Sequence, residues 1–93
     1  MSNATTNDRP TGDPSALALR ALAATIADQR LAERFLSLSG IDPPELRHRA
    51  ADPAVLAALL RFLEAHEPDL VAIAVQLGVK PGMLVAARRE LER

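Results

Sequence analysis

The chain has 93 residues, enough for one small domain and too few for two. Its 11 basic and 12 acidic residues give a formal net charge of -1, which argues against a dedicated nucleic-acid binder, because such proteins are usually basic. The chain contains no cysteine, and this excludes disulfides and thiolate chemistry.

The first 13 residues, MSNATTNDRPTGD, are almost all polar or small and cannot bury enough apolar surface to repay the entropy of ordering. They predict a flexible tail over residues 1–13, followed by one helical domain over residues 14–93. The tail lacks the apolar centre of a secretory signal, and no later run approaches the ~20 consecutive apolar residues of a membrane span. We therefore expect a cytoplasmic protein without membrane contact.

Five dipeptides that end in proline divide the rest of the chain. Aspartate precedes proline at residues 13–14, 42–43 and 52–53, so that a carboxylate can cap a helix whose first residue is proline. Weaker versions at 67–68 and 80–81 still move the residue before proline out of helical geometry. These positions predict the helix boundaries.

The first three predicted helices cover about residues 14–27, 28–39 and 43–50; the first two have an apolar face, whereas the third has only one strong apolar anchor and must be stabilised by docking. Asp28 is a plausible cap for the second helix, and Gly40 is expected to end it in a left-handed conformation. The predicted inward residues are Leu19, Leu22 and Ile26 in the first helix, Leu31, Phe35 and Leu38 in the second, and Leu46 in the third.

Residues 53–78 carry apolar side chains every three or four positions on both sides of Pro68. This spacing predicts an antiparallel helix pair at the centre of the fold, with His66 at the end of the first helix of the pair. The predicted inward residues are Val55, Leu56, Leu59, Leu60, Phe62, Leu63, Leu70, Val71, Ile73, Ala74 and Leu77. No strand-period alternation occurs in the sequence, so we expect an all-α fold, a small orthogonal bundle of five to six short helices.

The segment IAVQLGVKPGMLVAARREL, residues 73–91, has the spacing of a helix-turn-helix unit. Ala74 permits close approach of two helices, Gly78 takes the tight turn, Val79 fills the corner and Leu84 anchors the second helix. All four expected positions are occupied by suitable residues. The C-terminal pair of helices is therefore expected to resemble a helix-turn-helix.

Whether this corner contacts DNA is a separate question. The groove-facing positions of such a unit would include Pro81, Gly82, Val85 and Ala86, which cannot make the bidentate hydrogen bonds that identify a base. Of the residues near these positions, Lys80 and Arg89 alone could touch phosphate, and the nucleic-acid-binding residues of a regulator built from residues 70–93 would be Lys80, Arg88 and Arg89. We take this regulator as the alternative hypothesis and a compact helical corner as the main one.

Catalytic and metal chemistry find little support in the sequence. His48 and His66 are the only histidines, too few to complete a zinc site without cysteine. No nucleophile elbow, phosphate loop or dinucleotide fingerprint is present. We therefore predict no catalytic, cofactor-binding or metal-binding residue; an enzyme would require Glu64, His66 and Glu67 to converge in one pocket.

Four segments stand in a fixed order: RFL at 34–36, SGIDPPELR at 39–47, AADPAVLAALLRFL at 50–63 and LGVKPGMLVAARREL at 77–91. In this order and spacing, residues 17–91 resemble a bacterial family known as a domain of unknown function, number 3572. The resemblance implies a small, soluble helical protein of bacterial origin. It supplies no activity, substrate or functional residue.

Hydrophobic residues make up 48% of the chain, a large share for so small a domain with no catalytic set. This composition predicts a helical protein-protein interaction module without catalytic activity or cofactor. Its partner is expected to be another protein or a second copy of the chain, and an exposed apolar patch would mark the interface.

Overall fold

Aspartate side chains cap the first four of the six helices in the computed structural model, which describes residues 13–93. Asp13 Oδ1 accepts the Ser15 N–H at 3.0 Å, and Asp42 Oδ1 accepts the Glu45 N–H at 2.8 Å. Apart from Asp13, the predicted tail lies outside the described residues. The helices are α1 (Pro14–Ala27), α2 (Gln29–Ser39), α3 (Pro43–His48), α4 (Pro53–Glu64), α5 (Glu67–Leu77) and α6 (Pro81–Leu91).

Two glycines end helices as predicted. Gly40 closes α2 with φ 75° and Gly78 closes α5 with φ 72°, a left-handed conformation that glycine adopts without a Cβ penalty. A residue of α1 also stabilises the last turn of α5, because the Arg20 guanidinium donates a hydrogen bond to the Leu77 carbonyl oxygen at 3.0 Å. Glycine termination therefore fixes the start of both following connections.

The all-α fold class is confirmed over residues 13–93, which contain six helices and no strand. Helix α4 lies at the centre and packs most extensively against α1 and α6, whereas its contact with α5 is smaller. The prediction that α4 and α5 form the central pair is therefore wrong, because the main neighbours of α4 are α1 and α6. The fully buried residues Leu56, Leu59, Leu60 and Leu63 of α4 require neighbours on several sides, and α1 and α6 supply most of them.

Several predicted inward residues are exposed instead. Leu19 and Ile26 of α1 are each 39% exposed, because the buried face of α1 consists of Leu17, Ala18, Ala21, Leu22 and Thr25 instead. The fully buried Ala18 and Ala21 let α1 approach its neighbours closely, and of the predicted stripe only Leu22 lies in the core. Leu38 on α2 and Val71 on α5, also predicted to face inward, are 75% and 40% exposed.

Two boundaries differ from the prediction. Helix α3 ends at His48, two residues earlier than expected, and His66 is the N-cap of α5 instead of the end of α4.

Among residues 13–93 no single helix is long and apolar enough to cross a bilayer. Helices α5 and α6 reach the required length and composition only jointly, across a bend of 99°.

Candidate protein-binding groove

An apolar groove of about 340 Å³ separates α1 from α2 and α3. Leu22 and Leu46, which are 5% and 7% exposed, belong to the core and form its floor. The remaining lining residues are Leu19, Ala23, Ile26, Ala32, Leu36, Pro43, Arg47 and Ala50. The α1 stripe that the sequence assigned to the core thus forms one wall of an open groove.

Arg47 is the one charged residue in the lining of this groove. Its neighbour Arg49 is held by two carboxylates, with Nη1 at 3.0 Å from Glu45 Oε2 and Nη2 at 3.2 Å from Asp52 Oδ2. Among the described residues Arg47 itself has no ion-pair partner. The groove therefore combines an apolar interior with a single uncompensated positive charge.

The groove depends on α3, which is too short to be stable alone and must be docked. Leu46 inserts into the core, and the Asp42 side chain caps the first turn. The exposed His48 is held at the end of this helix, with Nδ1 3.0 Å from the Pro44 carbonyl oxygen. These contacts fix the wall that carries Arg47.

A second depression lies between α2 and α4, with a volume of about 380 Å³. Phe35 and Phe62 meet edge to face at its side, with ring centroids 5.4 Å apart, and the Arg34 guanidinium lies 5.4 Å from the Phe62 centroid. Arg34, Arg61 and His66 also line this depression. Because its lining mixes cations with aromatic rings, this depression is less apolar than the groove beside α1.

Asp69 is a buried carboxylate that no sequence pattern indicated. It is 5% exposed, and its Oδ2 lies 2.8 Å from His66 Nδ1 and 3.0 Å from Arg34 Nη1. Burial raises the pKa of Asp69, but the hydrogen bonds from His66 and Arg34 outweigh this effect, so the net pKa lies below its ordinary value. Asp69 therefore ties α5 to α2. Arg34 is 35 residues away, beyond the reach of any local pattern.

The predicted helix-turn-helix geometry is present in the C-terminal pair. Helices α5 and α6 meet at 99°, Ala74 is 1% exposed, and Leu84 is fully buried. Val79 packs against the core, and its N–H donates to the Ala74 carbonyl at 3.0 Å, which closes the turn at Gly78. All four residues thus occupy the positions that the spacing predicts.

The three cations of the alternative hypothesis have different surroundings. Arg88 Nη2 donates to Glu64 Oε1 at 3.1 Å and Arg88 Nη1 donates to Glu92 Oε1 at 2.8 Å, so that the guanidinium links α6 to α4. Lys80 and Arg89 are exposed and have no ion-pair partner within residues 13–93. The structure brings Arg88 to carboxylates and leaves the other two open to solvent.

The candidate catalytic set does not assemble in one pocket. Glu64 bonds Arg88 of α6, whereas His66 bonds Asp69 at the start of α5, and Glu67 is exposed to solvent. Within the described part of the chain, no group of three His, Cys, Asp or Glu residues is placed to hold a metal ion.

Residues 11–93 match the family described as protein of unknown function DUF3572. The chain belongs to this family. Membership confirms the resemblance carried by residues 17–91, and the family's description assigns no activity or partner. No curated protein and no solved structure matches the chain.

Proposed function

We propose that the protein is a small helical interaction module without catalytic activity, and that the groove beside α1 binds an apolar helix of a protein partner. The observation that carries this proposal is the exposure of Leu19 and Ile26 over a groove whose lining contains one charged residue. When a partner covers aliphatic side chains at a concave surface, their removal from water lowers the free energy of the complex.

The size of the groove restricts how a partner fits. A volume of about 340 Å³ is at the lower end of the ~300–1,000 Å³ typical of ligand pockets. It admits a few side chains but not a whole helix. An amphipathic helix would therefore lie across the opening and insert apolar anchors spaced three or four residues apart.

Arg47 adds a requirement on charge. Arg47 lines the groove, and its guanidinium has no ion-pair partner among residues 13–93. A partner helix with an acidic residue beside its apolar anchors would pair with it, and a basic helix would be repelled. We therefore propose an acidic, apolar helix as the partner.

A displayed library of amphipathic helices, selected on the purified protein, tests this function. The expected peptides share apolar anchors at three- or four-residue spacing and one flanking Asp or Glu. Ala23→Arg fills the groove with a charged side chain and should abolish their binding. Ala86→Arg, the same change at an exposed position of α6, should leave it intact. Equal binding to both variants would contradict the proposal.

The charge requirement has its own test in the same selection. With Arg47→Glu as the target, the selected peptides should carry a flanking Lys or Arg instead of an acid, because the sign of the groove charge is reversed. Peptides of unchanged charge would show that Arg47 takes no part in recognition. The apolar anchors should persist in both selections.

A second candidate function is a nucleic-acid-binding regulator that uses residues 70–93. It is favoured by the 99° corner and by the exposed Lys80 and Arg89, whereas Arg88 is engaged by Glu64 and Glu92. Random duplex DNA at about 50 mM salt is the probe, because phosphate contacts are strongest at low salt. Binding that is lost in the Lys80→Ala/Arg89→Ala protein, and kept in Arg30→Ala/Arg47→Ala, would favour this function. Absence of binding would rule it out.

A further inference from the structure

Helix α5 is apolar on two opposite faces. Its inward face carries Leu70, Ile73 and Ala74, which are 8%, 0% and 1% exposed. Between Asp69 and Lys80 the chain has no charged residue, so the outward face of the helix lacks the charges typical of a solvated surface. Gln76, which is exposed, is the one polar residue in this stretch. A helix that is apolar on most sides is normally enclosed, and within residues 13–93 the outward face of α5 is not covered.

The outward face is a continuous stripe made of Pro68, Val71, Ala72 and Val75, here called the α5 stripe. All four residues are exposed; Val71 is 40% and Val75 is 73% exposed. Their spacing of three, four and seven residues places them on one side of the helix, two turns long. This is the spacing with which helices pack on each other.

We propose that the α5 stripe binds the α5 stripe of a second copy of this chain, with the two helices antiparallel. Reversing the stripe about its own midpoint, between Val71 and Ala72, exchanges the position of Pro68 with that of Val75 and the position of Val71 with that of Ala72, so the four positions of the stripe coincide after the reversal. Each pairing sets residues of different size against each other, and Ala72 permits close approach. A two-fold dimer requires a self-complementary surface of this kind.

The charges at the two ends of the stripe favour the antiparallel arrangement. Glu67 is exposed at the start of α5, and Lys80 is exposed three residues beyond its end at Leu77. Neither has an ion-pair partner within residues 13–93. In the antiparallel pair, Glu67 of each copy lies at the end where the other copy carries Lys80. Parallel pairing would instead bring like charges together.

The size of the contact limits its strength. Helix α5 has 11 residues and is about 16 Å long at ~1.5 Å per residue, so this face alone buries less than the ~800 Å² per partner of a stable interface. The dimer is therefore expected to be weak, with a Kd on the order of 100 µM. It is independent of the proposed function, because the groove uses α1, α2 and α3.

Sedimentation velocity from about 10 µM to about 1 mM, a range that brackets the expected Kd, tests the proposal. The wild-type protein should shift from monomer to dimer. Val75→Arg should weaken the dimer by at least about tenfold, because it sets a charge against Pro68 of the other copy. Leu38→Arg is the matched control, since Leu38 is 75% exposed on α2, and it should dimerise like the wild type. A wild-type monomer at ~1 mM, or equal effects of the two variants, would overturn the proposal.

A charge exchange distinguishes antiparallel pairing from other contacts of the stripe. Glu67→Lys and Lys80→Glu should each weaken the dimer about tenfold, because each single change creates two like-charge pairs across the two-fold axis. The double variant should restore the wild-type Kd. Additive loss in the double variant would overturn the antiparallel arrangement, and circular dichroism of each variant establishes that it is folded.

Discussion

The groove beside α1 and the α5 stripe are both apolar and open to solvent, but they differ in shape and in the charges beside them. The groove is concave, and its lining includes one cation, Arg47, that has no ion-pair partner in the described part of the chain. The stripe is a convex helix face with Glu67 at one end and Lys80 beyond the other. The first surface is complementary to an acidic partner unlike itself, and the second is complementary to its own copy. The two apolar surfaces are thus expected to bind different partners, because their shapes and neighbouring charges differ.

Both surfaces must lie outside the hydrophobic core if they are free to bind partners. A substitution in the core gives the loss of stability with which surface substitutions are compared. Leu59 is fully buried in α4, so Leu59→Ala should lower the free energy of unfolding by about 2–5 kcal/mol. Leu38→Ala, at a residue that is 75% exposed, should change it by less than about 0.5 kcal/mol. Urea unfolding measures both, and similar losses would mean that Leu38 is buried in solution.

Asp69 fixes the orientation of α5 and therefore the direction in which the stripe faces. Asp69→Asn should destabilise the protein by about 1–3 kcal/mol, because Arg34 and His66 lose a buried carboxylate. Glu67→Gln, two residues earlier and exposed, serves as the control and should have little effect.

The contribution of Asp69 should depend on pH in a defined direction. The pKa of its carboxyl is lowered in the folded protein from an ordinary value of 3.8, so the unfolded chain takes up a proton more readily. The stabilisation is fully present above about pH 4 and is lost as the pH falls through the folded pKa. The stability difference between wild type and Asp69→Asn should therefore shrink on acidification below about pH 4, and a difference that grows would contradict this assignment.

Two glycines near the corner between α5 and α6 should respond in opposite ways. Gly78→Ala places a Cβ at φ 72° and should destabilise the protein by about 1–2 kcal/mol. Gly82 lies in the first turn of α6, where an added Cβ meets nothing within 4 Å, so Gly82→Ala should stabilise it by about 0.5 kcal/mol. Thermal unfolding distinguishes these signs. A loss in Gly82→Ala would show that this face of α6 is covered in solution.

The smallest expected effects on stability are those of the surface variants themselves. Ala23→Arg in the groove, Val75→Arg in the stripe and Ala86→Arg on α6 should each change the free energy of unfolding by less than about 0.5 kcal/mol. Urea unfolding of each variant checks this expectation. A large loss in any of them would mean that the corresponding surface is part of the packed core.

The helix boundaries could be predicted because their determinants are local. Asp13, Asp42 and Asp52 cap within three residues of their own position, and Gly40 and Gly78 end helices by their own conformation. The helix-turn-helix corner was predictable for the same reason, since Ala74, Gly78, Val79 and Leu84 lie within one short segment.

The directions in which the helices face could not be predicted from hydrophobicity alone. The apolar spacing of α1 predicted Leu19, Leu22 and Ile26 in the core, whereas the folded helix buries Leu22 together with Leu17, Ala18 and Ala21 and leaves Leu19 and Ile26 exposed. That choice depends on the distance between helices far apart in the sequence. Leu19 and Ile26 line the groove for this reason, so the sequence contained two residues of the main candidate site but predicted both of them to be buried.

Fluorescence anisotropy of one library-selected, labelled helix tests the central claim most directly, with the wild type and the Ala23→Arg, Val75→Arg and Ala86→Arg proteins compared side by side. If the groove is the protein-binding site, only Ala23→Arg loses the helix, and the other two variants bind it with the affinity of the wild type. Wild-type affinity in Ala23→Arg, or loss of the helix in Val75→Arg, would contradict the assignment of the two surfaces to different partners.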